Sequence, residues 1–131
     1  MDKFLIPTSP NKNFESIKKT DENGVEYWDA RELMPLLDYS RWENFEQVII
    51  KAREACFNNK QEVDNHFLEV TKMVAIGSGA RRKTKEYRLS RYACYLIAQN
   101  GNPSKKAIAQ AQTYFAIQTR KQELFQIATG D

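Results

Sequence analysis

Hydrophobic residues recur at helical spacing in the first half of the chain, and these stretches predict two helices. A capping box, in which Asp29 accepts from the Glu32 amide and Glu32 reaches back, predicts the start of a short helix that Pro35 kinks or ends. A second capping box begins at Ser40 and opens an amphipathic helix that closes near Asn58. The apolar stripe of this second helix comprises Trp42, Phe45, Val48, Ile49, Ala52, Ala55 and Cys56.

Two further helices are predicted in the second half. Ser90 is placed to cap a helix that is apolar on all sides, so we expect this helix to be buried at the centre of the fold. It ends at the Asn-Gly pair that closes with Gly101. Ser104 opens a last helix that runs to about Ala128. The polar run 118–123 in that helix predicts that its far half leaves the body and forms a homodimer contact.

Two β-hairpins are predicted between and before these helices. An Asn-Gly pair at 23–24 lies between the β-compatible runs 14–20 and 25–28, which is a hairpin signal because φ > 0 suits both residues. Residues 70–89 form the second predicted hairpin, with a flexible, basic loop over 76–85 at its tip. Helices and hairpins together indicate an α+β domain with four or five helices and two small hairpins.

A chain of 131 residues fits one domain. Residues 1–13 have no periodicity and are expected to be a flexible leader, which leaves 14–131 as a single domain. No apolar run approaches the ~20 residues that span a bilayer, and the three-residue apolar stretch near the N-terminus is too short for a signal peptide. We therefore expect a cytoplasmic protein, associated with the nucleoid if DNA is its partner.

The net charge of +3 conceals a strong division along the chain. Residues 1–71 carry 9 basic and 14 acidic side chains, whereas residues 72–121 carry 11 basic side chains and one acid, Glu86. A concentrated basic segment favours a polyanionic partner, and nucleic acid is the first candidate. The alternative is a solvated surface whose cations are balanced in space by the acidic first half.

The basic second hairpin is the strongest functional feature. Its Lys and Arg side chains are suited to clamp phosphates, and the small residues 77–79 let the backbone approach closely. Two lysines at the start of the last helix add charge where backbone amides already favour an anion. The candidate nucleic-acid-binding residues are Arg81, Arg82, Lys83, Lys85, Arg88, Arg91, Lys105 and Lys106.

No residue pattern indicates catalysis, a metal or a cofactor. Residues 77–84 end in Lys-Thr, but Arg82 stands where a phosphate-binding P-loop requires glycine. Cys56 and Cys94 are far apart and lack nearby ligands, so we interpret them as core residues and not as zinc ligands. His66 is the only imidazole, which leaves no pair for a nucleophile and base.

Two long runs of the sequence resemble a known family. The runs 89–101 (LSRYACYLIAQNG) and 112–120 (QTYFAIQTR) look like the DNA-damage-inducible protein D family, and the resemblance covers about residues 14–124. Shorter matches in the same order are Asp29–Leu33, Tyr39–Ser40, Lys51–Ala52, Glu54–Cys56 and Asp64–Phe67. More distantly, the hairpin, the helix pair and the later helix are similar to the BRO-type N-terminal domain of phage antirepressors and baculovirus proteins, a group associated with DNA binding.

The resemblance implies a bacterial protein of the SOS response, linked to DNA repair and to modulation of RecA recombinase filaments. It carries over no catalytic residues, and members of the family continue well past the position of Asp131. Two functions stay open at this point. One is a non-enzymatic domain that binds DNA, of unspecified form, through the basic hairpin. The other is a protein-interaction module that engages RecA or another SOS partner.

Overall fold

The computed structural model describes residues 14–129, in which a four-stranded antiparallel sheet packs with helices. A helical turn at 14–16 comes first. The strands are β1 (Lys19–Thr20), β2 (Glu26–Asp29), β3 (Phe67–Ile76) and β4 (Ala80–Leu89). The helices are α1 (Ala30–Leu36), α2 (Trp42–Asn58), α3 (Val63–His66), α4 (Arg91–Asn100) and α5 (Lys106–Thr129). The α+β class is confirmed, and the expected leader lies outside the described residues.

The strand order β1-β2-β4-β3 joins both hairpins into one sheet. Trp28 pairs with Leu89 and Asp29 pairs with Arg88, so β4 lies between β2 and β3. β3 is consequently an edge strand of ten residues. The sequence predicted the two hairpins separately, because the contacts between β2 and β4 join segments about sixty residues apart in the chain.

Helix α4 is the buried centre of the helical layer, as its apolar composition predicts. Five of its residues are buried: Ala93, Cys94, Leu96, Ile97 and Ala98. The side chain of Ser90 accepts a hydrogen bond from the Ala93 amide at 3.0 Å, which confirms the predicted cap. Cys56 and Cys94 are buried thiols, as expected, and burial raises the pKa of each. Both cysteines therefore act as small core residues.

The first predicted capping box is wrong. Asp29 precedes α1, but its side chain makes no cap hydrogen bond. Its carboxylate instead faces Lys19 at 3.4 Å and Lys72 at 3.9 Å. The free amide of Arg31 donates to Glu86 Oε1 at 3.1 Å, so the cap comes from β4 and not from the local sequence.

The second capping box is also wrong, and the first hairpin is shorter than predicted. Helix α2 begins at Trp42, and its N-cap residue Arg41 makes no side-chain cap bond.

The first hairpin does not include Phe14. This residue lies in a helical turn because its ring stacks on Trp28 and its carbonyl accepts from the indole Nε1 at 2.8 Å. In the turn between β1 and β2 only Gly24, not Asn23, has a positive φ, of 82°.

The second hairpin is confirmed, but its basic residues do not lie in a loop. The strands pair without interruption from Phe67 with Leu89 to Ile76 with Ala80. Only residues 77–79 remain for the turn, in which Ser78 and Gly79 have φ of 61° and 77°. The predicted loop over 76–85 is therefore mostly strand, because cross-strand pairing continues through its charged residues.

Replacing Glu86 with Ala should destabilise the domain. The Glu86 side chain is 1% exposed and accepts the amides of Arg31 and Tyr87. Unsatisfied buried amides cost about 1–3 kcal/mol, so we expect the free energy of unfolding in urea to fall by about 2 kcal/mol. Glu22→Ala, at an exposed position of the β1–β2 turn, is the control and should change it by less than about 0.5 kcal/mol. Equal losses from the two variants would contradict this role.

The burial of Glu86 also predicts that the stability of the domain depends on pH. Burial raises the pKa of Glu86 above its ordinary value of 4.5. Its contribution to stability is thus fully present below that value and is lost as the pH rises through the folded-state pKa. Glu86→Gln cannot ionise, so its stability relative to the parent protein should increase between pH 4 and pH 7 in urea melts. A difference that does not change with pH would refute the assignment.

Candidate nucleic-acid interface

The β3–β4 hairpin is anchored at its base and stands free at its tip. Phe67, Tyr87 and Leu89 are at most 1% exposed and belong to the core. By contrast, every residue of 75–83 is exposed. The paired strands continue through this free part, so the tip is a two-stranded ribbon that extends from a buried base.

The ribbon presents cations on both of its faces. Directly paired residues of antiparallel strands lie on the same face, and neighbouring residues alternate between faces. Arg81, Lys83 and Lys85 therefore share the face that Tyr87 and Leu89 present to the core. Arg82 and Arg88 lie on the opposite face. The sequence placed these cations together but did not predict that they divide between two faces.

The three cations nearest the turn have no acidic partner. Within residues 14–129, no carboxylate lies within 4.0 Å of the charged groups of Arg81, Arg82 or Lys83. The sequence from Val70 to Lys85 contains five lysines and arginines and no acid. The tip therefore carries a local positive charge that no acidic side chain of residues 14–129 neutralises.

Lys85 marks the boundary between the tip and the body. Its Nζ donates to Glu46 Oε2 at 2.8 Å and lies 4.0 Å from the Glu69 carboxylate. The Tyr87 hydroxyl donates to the same Glu46 oxygen at 3.1 Å. Lys85 consequently holds the pKa of Glu46 below its usual value. This predicted site residue already has partners within the domain.

Arg88 remains accessible, and Lys72 lies on the same face. The Arg88 guanidinium is 4.7 Å from the centre of the Tyr27 ring, a cation–π distance. The pairing of Lys72 with Thr84 puts its side chain on the face of Arg82 and Arg88. Lys72 was not among the residues predicted for the site. The strand register, counted outward from the turn at 77–79, is the signal that identifies it.

Arg91 is part of the domain's internal ion-pair network. Its guanidinium contacts Glu15 at 2.9 Å and Glu26 at 3.0 Å. The Tyr114 hydroxyl donates to Glu15 as well, and burial together with this bond raises the pKa of Tyr114 to about 12. Arg91 also lies 5.0 Å from the centre of the Trp28 ring. The residue thus joins the first helical turn, β2, α4 and α5.

The two lysines at the start of the last helix are not part of the hairpin, and Lys105 contacts the segment between α1 and α2. Lys105 Nζ donates to the backbone carbonyl of Asp38 at 3.0 Å and lies 4.8 Å from the centre of the Tyr39 ring. Lys106 is exposed at the first position of α5. Of the eight predicted residues, Lys85, Arg91 and Lys105 therefore have internal partners, and the tip residues are the most available.

A second set of cations, absent from the predicted site, stacks on aromatic rings beside the hairpin base. The Arg31 guanidinium is 4.0 Å from the centre of the Trp42 ring, and Trp42 stacks on Tyr87. Arg53 lies 5.9 Å from the Tyr87 ring centre. The sequence gives no signal for this set of cations and rings, because its members come from α1, α2 and β4.

No group of three or more His, Cys, Asp or Glu side chains in the described part of the chain is arranged to hold a metal ion. None of its helices combines the length and apolar character that crossing a membrane requires.

The sequence of this chain matches a known domain family. The sequence profile of the BRO family N-terminal domain (Bro-N) aligns with residues 14–116. The chain belongs to the Bro-N family. The match extends from the helical turn that packs on Trp28 into α5 and includes the whole β3–β4 hairpin.

This Bro-N domain is also similar to a curated bacterial protein. It is 55% identical over 111 residues, or 85% of this chain, to a protein named DNA damage-inducible protein D from Escherichia coli (strain K12). The resemblance inferred from the sequence is thereby confirmed. The chain spans 40% of the length of that relative. No solved structure matches the sequence of this chain.

Replacing Arg91 with Ala should weaken the Bro-N fold in a pH-dependent way. Arg91 holds the pKa values of Glu15 and Glu26 below the ordinary 4.5. The stabilisation is therefore present above that value and is lost as the pH falls through the lower folded-state values. Because these side chains are more than a third exposed, we expect a loss of about 1–2 kcal/mol at pH 7, discounted for solvent screening.

Urea melts of Arg91→Ala at pH 7 and at decreasing pH below 4.5 measure this dependence. The difference from the parent protein should shrink as the two glutamates become protonated. Lys51→Ala removes an exposed cation of α2 and is the control for net charge. A loss of the same size at every pH would contradict the ion-pair role.

Proposed function

We propose that this Bro-N domain binds nucleic acid through the distal part of the β3–β4 hairpin, as a non-catalytic part of a DNA-damage response protein. The observation that carries the proposal is a set of three cations, Arg81, Arg82 and Lys83, on a ribbon that extends from the body. Among the residues that the structure describes, none of the three has an acidic partner. The link to the damage response is supported by the similarity to the bacterial protein named DNA damage-inducible protein D. A binding role agrees with the exposure of every residue of the tip, 75–83.

Electrostatics explains why these three residues would dominate the affinity. A cation that contacts a phosphate releases condensed counterions, and binding then weakens with salt by a slope of about −0.9 for each phosphate neutralised on duplex DNA. Lys85, Arg91 and Lys105 would first have to give up carboxylate or carbonyl partners. We therefore assign the tip residues to the contact, Lys85 and Arg88 to its margin, and Arg91 and Lys105 to support of the fold. Lys106 is exposed but lies on α5 and not on the hairpin, so we leave it outside the proposed contact.

A protein-interaction function is the second candidate, because the same hairpin exposes apolar side chains. Leu68, Met73 and Ile76 on β3 are 42–48% exposed, and β3 is an edge strand. An edge of this kind pairs with an extended segment of a partner in many complexes. A protein of the SOS response such as RecA recombinase would be a partner of this class. The affinity of the domain for such a protein would depend on salt much less steeply than its affinity for nucleic acid.

The test compares two triple variants of equal net charge. Arg81, Arg82 and Lys83 are changed to Ala in one, and Arg41, Lys51 and Lys121, which are exposed elsewhere, are changed to Ala in the control. The affinity for labelled DNA is titrated at several salt concentrations. We expect the hairpin variant to reduce the log–log salt slope by about 3, and the control to change it by less than about 1.

The substituted side chains of the hairpin variant contact no acidic partner within residues 14–129, so the variant should fold, and a thermal melt checks this. An equal loss of affinity in the two variants would mean that only the overall charge matters. That result, or an unchanged slope in the hairpin variant, would remove the hairpin from the function.

A further inference from the structure

We propose that the distal half of the hairpin enters the major groove of duplex DNA. This inference rests on the nucleic-acid binding proposed above and specifies the form of its ligand. Four properties of the ribbon support it: its dimensions, the division of its cations, the small side chains at its end and the absence of aromatic residues.

The dimensions of the ribbon fit the major groove. From the pair Thr71–Lys85 to the pair Ile76–Ala80 it comprises six residue pairs, or about 17 Å at ~3.4 Å per residue. The major groove of B-form DNA is ~12 Å wide and ~8.5 Å deep and admits a two-stranded β-ribbon, whereas the minor groove is only ~6 Å wide. The exposed residues 75–83 lie at the end of this length, so the tip can reach the groove floor before the body meets the backbone.

The cations are divided as a groove requires. Sugar-phosphate backbones border the major groove on both sides, so a ribbon within it meets phosphates on both of its faces. Arg81 and Lys83 lie on one face of the ribbon, and Arg82 lies on the other. If the ribbon lay against a single sugar-phosphate backbone, only one of its faces would contact phosphates.

The end of the ribbon carries small and apolar groups that suit the edges of base pairs. Ala75, Ile76 and Ala80 lie next to the turn, and side chains of this kind contact the methyl group of thymine. A Cβ built at Gly77 or Gly79 would have no atom within 4 Å, so the turn has open space around it. The backbone there can approach a base pair closely.

Single-stranded DNA and duplex RNA fit the ribbon less well. Sequence-tolerant binding of single strands uses aromatic side chains on which bases stack, but residues 68–86 contain no aromatic residue. Two rings at the hairpin base, Trp42 and Tyr87, already stack on each other. The major groove of A-form RNA is deep and narrow and does not admit side-chain readout.

The ligand form is tested with four nucleic-acid probes. They are a 20-bp DNA duplex, the equivalent RNA duplex, single-stranded DNA with the same number of phosphates, and a DNA duplex whose cytosines carry glucosylated hydroxymethyl groups that fill the major groove. We expect the plain DNA duplex to bind at least about tenfold more tightly than the other three. Netropsin, which occupies the minor groove, should leave the affinity for the plain duplex unchanged.

A charge-neutral variant isolates the fit from the electrostatics. Ala75→Trp and Ala80→Trp together widen the exposed end of the ribbon without removing a cation, and exposed strand positions accept aromatic residues. The double variant should lose affinity for the DNA duplex by about tenfold or more while its affinity for single-stranded DNA is kept or increased. Circular dichroism and a thermal melt check that it folds.

The outcomes separate the two proposals. Equal binding of single-stranded or glucosylated DNA, competition by netropsin, or unchanged duplex binding by the widened ribbon would overturn the major-groove inference. Hairpin-dependent binding of nucleic acid would then still stand. If no probe binds, or if binding is independent of Arg81, Arg82 and Lys83, both proposals fail.

Discussion

Burial of three residues at the base of one hairpin is the constraint on which the candidate site depends. Phe67, Tyr87 and Leu89 enter the core, and Leu89 also pairs with Trp28 of the neighbouring strand. An isolated two-stranded hairpin is marginally stable in water. Here the buried base and the pairing of β4 with β2 fix the first part of the ribbon, and continuous pairing carries this order to the exposed tip.

The acidic first half and the basic second half of the chain are combined by the fold in an uneven way. Glu15 and Glu26 neutralise Arg91, and Glu46 neutralises Lys85, so cations close to the body receive partners. The tip at 75–83 extends beyond these acids. A charge division that is visible in the linear sequence thus becomes, in space, a nearly neutral body with a cationic ribbon.

The sequence predicted features that depend on neighbours in the chain and missed those that depend on distant partners. Ser90 caps α4 through an amide three residues away, and this prediction is confirmed. The cap of α1 was predicted at Asp29 but comes from Glu86, which is 55 residues from the amide it accepts. No local pattern could identify that acceptor, because it depends on β4 lying next to α1.

The same difference applies to the candidate site. Its basic character and its glycine-containing turn could be predicted from residues 76–85. The sequence could not predict which of these cations have acidic partners, because partners such as Arg91 and Glu15 are 76 residues apart in the chain. The division of Arg81 and Arg82 between two faces follows from strand pairing through charged residues, which a basic loop would not have shown.

The most direct test of the account is a titration of the isotope-labelled protein with duplex DNA, followed by the backbone amide shifts in NMR spectra. If the hairpin tip binds the duplex, the largest changes in chemical shift fall within 75–83, and the amides of α4 around Arg91 change little. Changes that centre on α4 or α5 and leave the hairpin tip unaffected would contradict it.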